Sequence, residues 1–223
     1  MLKVAFPLAV TAPYATYDIP FGTIRRSTGN TTPAEKGQVE VPAQSFADLS
    51  DAASGVSLVT FAKHGFDVKG SNLRLSLLRS PKWPDPLADR GKHAMAYALV
   101  PHAGPFVAAD TLRRAREYNA PLLAIAAARQ KGSRPARHGF VALGPENLLL
   151  TAVKKAEDGE AWIFRWHDAA GVDSVAELTL PRAPQRAVRS NFLEEDGEPL
   201  PVSGDTLRIP TGHDAIVTVK VTF

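Results

Sequence analysis

Asn72-Leu73-Arg74-Leu75-Ser76-Leu77-Leu78-Arg79 alternates polar and apolar residues almost without a break, which puts Leu73, Leu75 and Leu77 on one face of an extended strand. Every second side chain of a strand points the same way, so an apolar face of this kind needs a second layer to cover it. Just before it, Lys69-Gly70-Ser71-Asn72 is a turn cluster. Gly65-Phe66-Asp67-Val68-Lys69-Gly70-Ser71 has two glycines at the spacing of a phosphate-binding loop, but no Lys follows Gly70. A hairpin turn is the better reading of that segment.

Similar short strands are predicted on both sides. Leu2–Leu8, Gln38–Val41, Gly55–Ala62 and Lys92–Pro101 are candidates, separated by turn clusters at Ser27–Pro33 and Pro81–Pro86. One short helix is expected near 111–118. Asp110 would cap it, Leu112, Ala115 and Tyr118 recur at three-residue spacing, and Asn119 and Pro121 would end it. A second strand-rich block follows, with candidates at Phe140–Leu143, Leu148–Lys154, Ala161–His167, Ala176–Leu180, Ala187–Leu193, Thr206–Ile209 and Ala215–Phe223. Several short strands at even spacing indicate an all-β architecture of the sandwich kind. The domains are read as residues 1–126 and 139–223, joined by a basic linker at 127–138.

The 223 residues are 44% hydrophobic and 22% charged, too apolar for a disordered chain. The 18 prolines disfavour long helices. Cysteine is absent, which excludes disulfide scaffolds, thiolate metal sites and a cysteine nucleophile, and fits a reducing, cytoplasmic setting. Six scattered histidines form no H-E-x-x-H pair. No apolar run has the length of a membrane span. The start, Met1–Ala12, superficially imitates a secretion signal but is broken by Pro7. Arg129, Lys131, Arg134 and Arg137 give the linker four positive charges and no acid, while residues 139–223 carry 8 basic and 13 acidic groups. The basic segment lacks interleaved aromatics, so a solvated linker is preferred to a nucleic-acid site.

No catalytic motif emerges from the residues themselves. Asp85 and Asp89 are two carboxylates of the type glycoside hydrolysis needs, but loop carboxylates commonly cap turns. His93 and His102 are read as hydrogen-bonded structural histidines. Trp162 and Trp166 share a strand face and are assigned to the core. Trp83, in a proline-rich loop, is the better candidate for a surface contact.

A longer set of strings changes the reading. Leu2–Leu8, Ala15–Gly22, Gly70–Pro86 (GSNLRLSLLRSPKWPDP), Ala96–His102 and Pro145–Gly159 together resemble glycoside hydrolase family 38, the α-mannosidases, in their carboxy-terminal β portion. Between Arg25 and Thr32 the chain keeps Arg26, Thr28 and Thr32 of the family pattern and lacks its acidic residue, His and Asn.

The resemblance implies part of a mutarotase-like β supersandwich followed by a smaller antiparallel β-sandwich. It also implies a chain that begins inside a domain. Zinc, nucleophile and acid/base carboxylate belong to the family's amino-terminal barrel, so no catalytic residue, metal ligand or cofactor is expected here. The expected role is the non-catalytic β region of an α-mannosidase. The alternatives are a stand-alone carbohydrate-binding module, contacting sugar through Arg26, Asp67, Arg79 and Trp83, or a subunit completing a split enzyme. A mannoside ligand is one expected partner. A second copy or a catalytic chain, docked through an exposed sheet edge, is the other. Neither nucleic acid nor membrane is expected.

Overall fold

Leu73 and Leu75 are fully enclosed, as the alternation requires, and the layer that covers them is a second antiparallel sheet. The computed structural model describes residues 1–223, the side chain of Ala109 excepted, and divides into two units, Met1–Leu122 and Leu123–Phe223.

Unit 1 contains β1 (Leu2–Pro7), β2 (Tyr14–Ile19), β3 (Gly22–Ser27), α1 (Pro33–Gly37), β4 (Val41–Pro42), β5 (Phe46–Ser50), β6 (Ser54–Thr60), β7 (Gly65–Lys69), β8 (Asn72–Leu78), β9 (Tyr97–Ala103) and α2 (Ala108–Asn119). Sheet I runs β1-β8-β7-β4 and sheet II runs β3-β2-β5-β6-β9. The β7–β8 turn uses Gly70 at φ +57°, a conformation glycine adopts without strain. It pairs Val68 with Leu73, Asp67 with Arg74 and Phe66 with Leu75. β1 adds Phe6 opposite Leu73 and Val4 opposite Leu75. Tyr17, Ala47, Leu49 and Leu58 of sheet II meet this face and complete the core.

The outer face of sheet I lies under residues 29–40. Lys69 Nζ donates to the carbonyls of Gly29 (3.2 Å) and Glu35 (2.5 Å), and Lys3 Nζ to that of Val39 (3.3 Å). α1 starts on a capping box: Thr32 Oγ1 accepts from Glu35 N (3.2 Å), and Glu35 Oε2 accepts from Thr32 N (3.0 Å). The backbone donor of Thr32, the Ser27 hydroxyl and both donors of Thr31 hold the Glu35 carboxyl well below the usual range. The strand expected at Gln38–Val41 is therefore corrected to a helix end followed by a two-residue bridge. Its alternation is real, but Val39 faces solvent (62% exposed), where a strand would need a neighbour.

α2 covers the outer face of sheet II with Leu112 and Ala115. It begins at Ala108, earlier than expected, with Val107 as its cap position and no side-chain cap. Asp110 lies inside the first turn, 3.3 Å from Arg113 Nη1 one turn on, and is not the cap. The helix is held down from below by Asp48, which is 1% exposed. Its carboxylate accepts from Ser50 Oγ (2.7 Å), Ser57 Oγ (2.6 Å) and His102 Nε2 (2.9 Å). Ser50 Oγ in turn accepts from Phe106 N (3.1 Å), and Ser57 Oγ lies 3.3 Å from Thr111 Oγ1 in the first turn of α2. Gly55 makes this approach sterically feasible, because a Cβ there would run into the His102 ring and Ser50 Cβ.

Unit 2 contains β10 (Ala142–Gly144), β11 (Leu148–Lys155), β12 (Trp162–Asp168), β13 (Ser174–Thr179), β14 (Arg186–Ser190), β15 (Asp196–Pro199), β16 (Thr206–Thr211) and β17 (Ile216–Thr222). Sheet III runs β10-β13-β16 and sheet IV runs β11-β12-β17-β14-β15. Leu178, Leu207 and Ile209 of sheet III close on Phe164, Trp166, Val219 and Val221 of sheet IV. Trp166, fully buried, donates its indole N–H to Thr211 Oγ1 (3.1 Å), so no polar atom of the ring is stranded. Residues 121–141, which include the segment 127–138 read as a linker, carry no helix or strand.

Replacing Asp48 with Ala leaves the Ser57 and His102 donors facing a buried gap. The expected cost to unit 1 is about 1.5–3 kcal/mol, the range for a hydrogen-bonded charged group. It should be seen as lost amide-exchange protection in β5 and β6 with β11–β17 unaffected. Unchanged protection would show that the network carries no load.

Candidate functional site

Of the four residues nominated as sugar contacts, two lie around a single phenol. Arg26 projects from β3 with its guanidinium 4.7 Å from the Tyr17 ring centre. Asp67, on β7, is 2% exposed, pairs with Arg74 Nη2 and lies 3.4 Å from Lys3 Nζ. Burial pushes the Tyr17 phenol up to about 12, with Arg26 pulling it down and Asp67 pushing it further up. Asp67 sits beneath residues 29–40, so it holds sheet I together and is screened from a ligand in solution. Arg79 lies five residues beyond Arg74, about 16 Å along an extended chain. It is exposed, as is Trp83 at 84%. Arg26 thus lies against Tyr17 at the rim of the core, Asp67 on the outer face of sheet I with Lys3 and Arg74, and Arg79 and Trp83 in the loop between β8 and β9.

In that loop the carboxylates cap turns. Asp85 Oδ1 accepts from Leu87 N (2.8 Å) and Asp89 Oδ2 from Ser80 N (2.7 Å). His93 Nε2 lies 2.9 Å from the Asp89 carbonyl. Both carboxylates serve backbone N–H groups of their own loop, which is a different task from flanking a scissile bond.

His102 is the hydrogen-bonded structural histidine the sequence suggests, bonded to Asp48 at 2.9 Å; the sequence reading does not single out Asp48 and Ser57, which complete with it the residue types of a hydrolytic triad. Their geometry is different. A relay needs the serine hydroxyl on the imidazole, whereas Ser57 and His102 both bond to Asp48 Oδ2. A carboxylate only accepts, so His102 Nε2 carries the proton, and the cluster anchors a helix without activating a nucleophile. The one clue in the sequence is an Asp set between Ala47 and Leu49 in a short apolar strand. His102 also borders a groove of about 400 Å³ between β9 and α2, shared with Leu99, Pro101, Val107, Asp110 and Arg114.

In unit 2, burial raises the Asp168 carboxyl, but the Asn147 amide and the backbone N–H groups of Asp214, Ala170 and Val172 outweigh it and hold the group below its ordinary value. Asp168 thus ties three loops at one end of the sandwich. Among the described residues no cluster of three or more His, Asp or Glu is placed to hold a metal ion.

The two units match two models of one family. "Glycosyl hydrolases family 38 C-terminal domain" matches residues 1–87, and "Glycosyl hydrolases family 38 C-terminal beta sandwich domain" matches residues 147–222. The chain belongs to the carboxy-terminal β region of glycoside hydrolase family 38. Within that family it is 36% identical to alpha-mannosidase 2C1 of Mus musculus over all of its own length and 20% of the relative's. It is 39% identical to alpha-mannosidase 2C1 of Homo sapiens, over 93% of this chain and 20% of the relative. An alpha-mannosidase from Enterococcus faecalis V583 has the same fold, with a TM-score of 0.79 at 21% identity over 98% of this chain and 25% of that one. This family 38 chain thus spans about a fifth of the length of the curated relatives it matches.

In an absorbance titration of the native protein, one tyrosine should ionise late, near 12, and that component should vanish in Tyr17→Phe. Because the folded value is raised, Tyr17 contributes stability below its unfolded value of about 10 that is lost as pH climbs through about 12. A titration identical in the two proteins would remove Tyr17 from this assignment.

Proposed function

We propose that this chain is the non-catalytic β support of an α-mannosidase whose chemistry resides in residues outside it. The observation that carries the reading is that both units match carboxy-terminal family 38 models while four fifths of the mammalian relatives has no counterpart here. The carboxylates in view fit that role: Asp48, Asp67, Asp85, Asp89 and Asp168 each hold structure together. Retaining or inverting hydrolysis needs two carboxylates facing one bond. The proposed setting is cytoplasmic, with a polypeptide partner. No helix among the described residues is long and apolar enough to cross a membrane.

The purified chain, with zinc, should release no nitrophenol from an aryl α-mannoside. A chimera in which it replaces the matching fifth of the Mus musculus alpha-mannosidase 2C1 should hydrolyse that substrate. Zinc-dependent turnover by the isolated chain, or a folded but inactive chimera, would overturn the reading.

One observation favours a second reading, carbohydrate binding. Trp83 presents an almost fully exposed indole four residues from the exposed Arg79, and flat aromatic faces suit the apolar side of a sugar ring. Calorimetric titration with mannose oligomers should then give heat that Trp83→Ala abolishes. Equal heats from both proteins, or none from either, would leave the support role alone.

A further inference from the structure

Sheet IV offers more inner face than sheet III covers. β10, at the edge of sheet III, is three residues long, whereas β11 and β12 run for eight and seven. Trp162, Phe164 and Trp166 alternate along β12 and so share a face, and Phe164 and Trp166 are enclosed between the sheets. Trp162 therefore points to the core side, yet it is 43% exposed. Val153, directly opposite Phe164 on β11, repeats the pattern at the same exposure. These core-facing side chains open into a cavity of about 400 Å³.

Trp162, Phe164 and Phe223 form the sheet IV side of this cavity, and Phe140 and Pro181 close the other. Phe140 is held in place by its own neighbours: the Arg134 guanidinium lies 4.6 Å from its ring centre and the His138 ring meets it edge to face at 4.8 Å. The single charged group in the lining is Arg182, whose guanidinium is 5.3 Å from the centre of the Phe223 ring. Among the described residues no carboxylate pairs with it. Lys155, the cation opposite Trp162 on the same sheet face, is already held by Glu160 Oε1 at 2.6 Å. An apolar hollow with one unpaired cation and no acid in its wall selects an anion that carries an apolar body. The aromatic walls offer ring faces and edges on which a planar ring packs, offset or edge-on. A neutral sugar fits poorly, because such walls leave its hydroxyls without partners.

We propose that this cavity is a binding site for a small planar aromatic carboxylate, with its rings against Trp162 and Phe140 and its carboxylate on the Arg182 guanidinium. The volume lies within the range of small-molecule sites, about 300–1,000 Å³. The planar fork of Arg182 matches the two oxygens of a carboxylate, and the ring system removes the exposed faces of Trp162 and Val153 from water. The site lies wholly within unit 2 and depends neither on the support role nor on the Trp83 loop.

The test titrates the full chain with 2-naphthoate by calorimetry. One-to-one, saturable heat is expected. The uncharged 2-naphthamide should bind about tenfold more weakly, and Arg182→Gln, at an exposed position, should weaken naphthoate by a similar factor while leaving naphthamide unchanged. Val153→Phe, which fills the cavity from a half-exposed position, should abolish the binding of both, with amide-exchange protection in β12 and β17 retained as the sign that the unit is folded. Trp83→Ala, in unit 1, should change neither. No heat, equal affinity for naphthoate and naphthamide, naphthoate binding unaltered in Arg182→Gln, or binding that Trp83→Ala abolishes would each overturn the proposal.

Discussion

Val68 faces Leu73 and Asp67 faces Arg74 across a single two-residue turn, and the rest of unit 1 is built on that register. A slip of one residue would exchange the two sets of side chains. Asp67 and Arg74 would enter the space between the sheets, and Leu73 and Leu75 would lie under the polar residues 29–40. The cost on both faces is large, because one side loses its apolar burial and the other strands a charge. Residues 29–40 can cross sheet I only because its outer face offers Lys3 and Lys69 to their carbonyls. Sheet II follows the same rule with a different cover. Its outer face carries Asp48 and Ser57, and it receives a helix that brings Thr111 and Asn119 to meet the sheet.

Unit 2 meets the same demand without a helix. Both inner faces are aliphatic or aromatic, and the loops at one end are tied by a single carboxylate, Asp168, bonded to a side-chain amide and three backbone N–H groups. A buried acceptor so fully provided for tolerates its own desolvation.

Strands with strict alternation were legible in the sequence because their pattern is local. β8 and β17 lie where the spacing of Leu73, Leu75, Val217, Val219 and Val221 puts them. β2, β5 and β7 were not read as strands, since Tyr14–Ile19 and Phe46–Ser50 mix buried polar and buried apolar positions and Gly65–Lys69 opens a turn. α1 was hidden inside a turn cluster, although Thr32-Pro33-Ala34-Glu35 spells a capping box. The first turn of α2 was lost because Val107 has no capping side chain. The nominated sugar contacts show the same limit. Asp67 and Trp83 look equally available as letters, and only the cover laid over sheet I separates a carboxylate sealed beneath 29–40 from an indole in open water. Family membership, by contrast, was legible, because strings such as Gly70–Pro86 keep the hydrophobic register and the loop that follows it.

Gly55 has a consequence for how this chain can vary. Its missing side chain is the space in which the His102 imidazole reaches Asp48. The two positions are therefore epistatic. A methyl group at 55 would meet both the His102 ring and Ser50 Cβ, so it is harmful until both neighbours have given way, and the order of the changes decides whether a lineage can pass between them. Sequences that lose the glycine should already carry changes at both 50 and 102, which makes the three positions a record of the path taken as much as a feature of the fold.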